Sequence, residues 1–194
     1  MDISVLKGTL PSAYEYDGRV YEMRTDFREW MKFELLLNDE DICMQDKIYQ
    51  LKEIVFPEIP EDIQLWDFIM WFYHCGNVRE ESGGKNQTEK SRSRFYSFEH
   101  DLEYIYAAFL EIYGIDIFDV PYLHWWKFIA LFKSLHDCMF TDIVGYRSEK
   151  ITSKTPDYRK KFLNTVKKRY ALPRSLSEQQ KLDELKKMKE EMGY

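Results

Sequence analysis

A chain of 194 residues that is 44% hydrophobic and 32% charged, with only 8 Gly and 6 Pro, can build a sizeable core and is neither disordered nor fibrous. Its net charge is −6 and unevenly laid out: residues 151–194 hold 12 basic and 6 acidic side chains, the first 150 hold 16 and 28. Such an acidic body repels phosphate backbones, so nucleic acid is not the expected partner, and the basic end should attract the body or face solvent.

Three scattered cysteines, Cys43, Cys75 and Cys138, do not make a disulfide framework and suit reduced thiols in a cytosol. No basic start followed by an apolar run is visible, and the apolar stretches are too short for a bilayer, so a soluble protein of the cytoplasm is expected. With 14 Tyr, 13 Phe and 5 Trp, the chain has more ring area than a compact domain of this size hides. Part of that set is expected to serve partner contacts.

In chain order, the first expected element is a hairpin. Tyr14-Glu15-Tyr16 and Arg19-Val20-Tyr21 flank Asp17-Gly18, a dipeptide suited to the positive φ angles of a type I′ turn. Pairing across it gathers Tyr14, Tyr16 and Tyr21 on one face, which must pack elsewhere because a lone hairpin is marginal. Thr25 is the expected N-cap of a helix striped by Phe27, Trp30, Met31 and Leu35. Asn38 or Asp39 should cap a second helix, with Met44, Ile48, Leu51 and Val55 on one side. After Pro57 and Pro60, the acids Glu61 and Asp62 favour the start of a third helix, ending near Tyr73. Its Ile63, Leu65, Trp66, Phe68, Ile69, Met70, Trp71 and Phe72 are apolar nearly all round, which predicts a central position.

The pattern then lapses over 76–96, a long loop. Phe98, Leu102, Ile105, Phe109 and Ile112 form the next stripe, closed by Gly114 as a left-handed cap. Pro121 should open a second central helix through Leu135, followed by a shorter one from Phe140 to Lys150. Thr155-Pro156 begins a basic helix containing Arg159, Lys160, Lys161, Lys167, Lys168 and Arg169. A capping box at Ser177 to Gln180 opens a last helix, whose narrow seam is Leu182, Leu185, Met188 and Met192. The expected class is mainly α, a multi-helix bundle with a small N-terminal β-hairpin. Residues 1–150 form an aromatic-rich core domain and 151–194 a basic helical extension.

Catalytic patterns are missing: no GxGxxG, GxSxG, HExxH or CxxC, and no phosphate loop around Gly84-Lys85. His74-Cys75 and His136-Asp137-Cys138 could supply two ligands each only at helix ends, since adjacent helical residues diverge; packing is the simpler reading. Asp39-Glu40-Asp41, and Asp116 with Asp119, are expected to serve helix starts. No enzyme activity, cofactor or metal is therefore expected. The unusual string is His124-Trp125-Trp126, whose two indoles must face different ways. It calls for a covered core helix, or for an indole at an interface. Trp125, Trp126 and Trp71, with Leu182, Leu185 and Met188 of the terminal seam, are the candidate partner-binding residues.

Several strings together resemble the phage family known as gene product fifteen, encoded in the tail region of phages and prophages of Gram-positive bacteria. They are Thr25-Asp26-Phe27-Arg28 with Trp30; Trp71-Phe72 with Cys75-Gly76; Phe98 and Asp101; and Tyr104-Ile105-Tyr106-Ala107-Ala108-Phe109. Tyr113-Gly114-Ile115-Asp116, Leu123-His124-Trp125-Trp126 with Phe128, and Tyr146-Arg147 complete the set. The resemblance runs from about Tyr14 to Tyr170 and leaves out the last helix. It implies a tail assembly chaperone that coats the tape-measure protein in the host cell cytoplasm; the alternative is a structural component that stays in the tail, and the narrow seam of the last helix, outside the resemblance, allows a homo-oligomer. It carries no catalytic residues.

Overall fold

The computed structural model of the protein describes residues 9–39, 42–58, 65–77 and 95–173. Among them lie β1 (Ala13–Tyr16), β2 (Arg19–Glu22), α1 (Phe27–Asn38), α2 (Met44–Val55), α3 (Leu65–Tyr73), α4 (Leu102–Tyr113), α5 (Trp125–Lys133), α6 (Met139–Ser148) and α7 (Asp157–Arg169). The mainly helical class with one N-terminal hairpin is as the sequence predicts. The terminal helix expected from Ser177, and nearly all of the 76–96 loop, lie outside the described residues.

The hairpin turns where expected. Asp17 and Gly18 have φ of 49° and 71°, the pair of positive angles that a type I′ turn requires. Tyr14 pairs with Tyr21 and Tyr16 with Arg19. The Tyr14 ring stacks beside Tyr16 and lies 4.6 Å from Phe68 and 6.4 Å from Phe56, centroid to centroid. That docking on α2 and α3 supplies the packing that two strands alone lack.

Several helix starts differ from expectation, each for a local reason. Asp26, not Thr25, caps α1: its Oδ1 accepts from the Arg28 amide at 3.0 Å. Thr25 is buried, its hydroxyl 2.7 Å from that of Tyr122. The inner face of α1 is Phe27, Trp30 and Phe33, because α3 covers a second side of it through Trp66 and Tyr73; Leu35 is exposed. Asp39 ends α1 as its C-cap instead of opening α2, which begins after Cys43. Buried Lys47 donates to the Leu37 carbonyl at 3.3 Å, satisfying one orphan acceptor of the α1 terminus. Arg24 does the same for α2, donating to the carbonyls of Glu53 and Ile54.

α3 is less central than its composition suggests. Leu65, Ile69 and Phe72 are buried, whereas Trp66, Phe68, Met70 and Trp71 are only half-buried. α4 ends at Gly114 with φ 64°, the predicted left-handed cap. Asp116 is not at a helix start: it closes the turn after α4, its Oδ1 accepting from the amides of Phe118 at 2.9 Å and Asp119 at 3.3 Å. α5 starts at Trp125 rather than near Pro121. Phe128 on α5 is the hub of the core, its ring 4.7 Å from Phe27, 5.1 Å from Phe109 and 5.8 Å from Trp125. The basic helix α7 docks through buried Leu163 and packs beside α6.

Candidate partner-binding surface

Two short strings that are almost 100 residues apart meet as backbone partners. Asp26 and His124 form an isolated antiparallel bridge, with the Phe27 amide donating to Leu123 O at 2.9 Å and the Trp125 amide to Thr25 O at 2.8 Å. Each bridge residue also caps the helix that follows it. Asp26 caps α1 and takes the Leu123 amide on its other oxygen at 3.2 Å. His124 Nδ1 accepts from the Trp126 amide at 3.0 Å, which leaves Nε2–H to donate to Pro11 O at 3.1 Å. Burial holds the His124 pKa below its ordinary 6.5, so the neutral ring that this pattern needs is the favoured form.

The adjacent tryptophans have a shared task. Trp125 donates its indole N–H to Tyr73 O at 3.0 Å and Trp126 to Phe72 O at 2.8 Å, so both finish the C-terminal end of α3. They are 1% and 7% exposed. Of the two readings of this string, the covered core helix is the one these contacts match: two indoles pointing different ways reach two successive carbonyls, and both are nearly sealed in doing so. Gly76, at φ 73°, lies against Trp126 and Trp71. A Cβ there would stand 3.0 Å from Trp126 Cη2.

A further pair was invisible in the sequence. Asp101, buried at the start of α4, accepts both forks of Arg147 from α6, at 2.6 and 2.8 Å. Arg147 also donates to Phe95 O at 3.0 Å and to Tyr170 O at 2.6 Å, and Asp101 takes the Ser97 amide. One guanidinium thus fastens the residues before α4 and after α7 to α6. Arg28 acts likewise on the turn after α4, donating to the carbonyls of Ile117 at 3.0 Å and Val120 at 2.6 Å. Sequence separation hid both: partners 46 and 89 positions apart leave no periodic signal.

Among the described residues, no three His, Cys, Asp or Glu side chains gather as a metal site. Burial pushes the Cys75 thiol up to about 11, so it stays protonated near neutrality. His136 donates its Nδ1–H locally to Ser134 O at 2.9 Å, and His124 is committed to its cap.

What the fold leaves open is a ledge of rings. Tyr16 is 39% exposed, and Tyr14, Phe68 and Trp71 are half-buried beside it. Tyr16 and Tyr14 lie 6.4 Å apart, Tyr14 and Phe68 4.6 Å, and Phe68 and Trp71 5.5 Å, with Trp126 set edge-on behind Trp71 at 5.4 Å. Of the candidate contact residues, Trp71 alone among those described stands on this ledge; Leu182, Leu185 and Met188 lie outside the described residues. The hairpin face and the exposed side of α3 were both readable as apolar, but their meeting was not.

Compared with known families, residues 6–172 match the one described as Bacteriophage Gp15 protein. No curated protein and no solved structure matches the chain. The strings that meet in space at the Asp26–His124 bridge, at the Trp126–Gly76 contact and at the Asp101–Arg147 pair all fall inside that span, and the chain belongs to the bacteriophage Gp15 family.

Proposed function

We propose that this protein is a tail assembly chaperone, which holds apolar helices of the tape-measure protein in the host cytoplasm until tail-tube subunits assemble around them. The observation that carries the reading is the row of Tyr16, Tyr14, Phe68 and Trp71, linked ring to ring along one side of the hairpin and α3. An amphipathic helix presents apolar side chains at every third or fourth residue, and a shallow aromatic row receives them with large contact area at little entropic cost. Half-buried rings forgo the deep pockets of permanent interfaces, so single contacts are weak and release is easy. Many copies along one long helix then hold it by avidity.

Co-expression with a fragment of the tape-measure protein tests the proposal. The fragment should become soluble and co-purify with the chain; a fragment that stays insoluble and unbound contradicts it. Mass spectrometry of purified virions should find the protein absent. Its presence at the abundance of the tape-measure protein would identify a retained tail component instead.

A further inference from the structure

Two exposed faces of the chain carry opposite charge and similar rings. On α4 the exposed residues Glu103, Ala107, Leu110 and Glu111 share one side of the helix, opposite buried Ile105, Ala108 and Phe109. The turn that follows extends this face with Phe118, 58% exposed and 4.9 Å from the Tyr106 ring, and with exposed Asp119. The charge of Asp116, with that of Asp119, raises the Tyr106 hydroxyl pKa, a sign of how many carboxylates crowd here. Among the described residues, Glu103, Glu111 and Asp119 have no basic partner.

The second face is on α7. Tyr158, 77% exposed, and Phe162, 40% exposed, share a side with exposed Lys161, Lys168 and Arg169. Arg159 and Lys160 are occupied by Glu149 and Asp157, whereas Lys161 and Lys168 form no ion pair among the described residues. Along the helix axes, Glu103 and Glu111 stand about 12 Å apart and Lys161 and Lys168 about 10 Å, at 1.5 Å per residue. Each face packs locally: Phe118 on Tyr106, and Phe162 on Tyr146 and under Arg159.

We infer that copies of this chain associate head to tail, the basic, ring-bearing face of α7 in one copy seating on the acidic, ring-bearing face of α4 and its following turn in the next. Unpaired charges of opposite sign and similar spacing set the register, and Tyr158, Phe162, Leu110 and Phe118 supply the apolar burial. A contact between two different faces is heterologous, so it propagates into a row or ring rather than stopping at a dimer. The inference stands apart from the chaperone reading, because it needs neither the ledge nor a tape-measure protein.

Sedimentation velocity of the full chain tests it. The wild type should grow beyond a dimer as concentration rises, and association should weaken at least tenfold between about 0.05 M and about 0.5 M salt. The surface variants K161E/K168E and E111K/D119K should each sediment as monomers with unchanged circular dichroism. Mixed in equal amounts, they should associate again, and a chain bearing all four changes should regain assembly alone. A wild type that stays monomeric at about 0.1 mM overturns the inference, as does a mixture that stays monomeric while the wild type assembles. Duplex DNA bound by the wild type, and lost in K161E/K168E without any change in self-association, would make α7 a nucleic-acid surface and overturn it too.

Discussion

Arg147 and Asp101 show how much one pair can hold. Both side chains are nearly sealed, and every oxygen and nitrogen facing the interior has a partner among the described residues. Removing one member strands the other charge, so Asp101→Ala should cost about 3–5 kcal/mol of unfolding free energy, read by denaturant titration. Arg147→Lys should recover little of a loss at that site, because an ammonium cannot span both carboxylate oxygens and the carbonyls of Phe95 and Tyr170. His124 gives a pH signature. Its folded pKa is depressed by burial, so below about pH 6.5 the unfolded chain binds a proton that the native chain refuses. Stability from this group is full above that pH and falls as pH drops toward the folded value. Glu149, depressed by Arg159, loses its contribution only at lower pH, below the usual carboxylate range. His124→Asn keeps a capping side chain but removes the titration, and it should flatten the stability profile just below about pH 6.5. An unchanged slope in that window would place the pH dependence elsewhere.

At the level of elements, helix ends decide the architecture, and only some of them are legible in the sequence. Asp17-Gly18 and Gly114 were legible because a positive φ has few chemical solutions. The starts of α1 and α5 were misplaced because their caps are chosen by a distant strand. The Asp26–His124 bridge fixes both backbones in extended form, and only then do the side chains turn to the following amides. A histidine cap fed by that bridge has no local signal. The glycines separate the two kinds of constraint. Gly114→Ala meets no neighbour and should cost only the left-handed penalty, about 1 kcal/mol in thermal unfolding. Gly76→Ala adds a contact of 3.0 Å with the ring of Trp126, itself held by its bond to Phe72 O, and should cost at least twice as much. Equal losses would mean that the indole yields freely.

Across the whole molecule, the family strings are architectural. Those read as Thr25 to Arg28 and Leu123 to Trp126 pair as backbone, Trp71 to Gly76 receives Trp126, and Asp101 grips Arg147. The abundance of rings was plain in composition, and so was the helical class. Which rings stay outside was not, since a helix apolar all round can be sealed or, like α3, left half-covered depending on its neighbours. Trp125 and Trp126 went to the core, while Tyr16, Phe68 and Trp71 remained on the ledge. The direct test of the account is an equilibrium titration of a helical tape-measure segment into the wild type and into Tyr16→Ser/Phe68→Ser, with the fold of each checked by thermal unfolding. Binding should be at least tenfold weaker in the variant, with most of its stability kept; equal affinity for the two proteins would rule out the ledge as the docking surface.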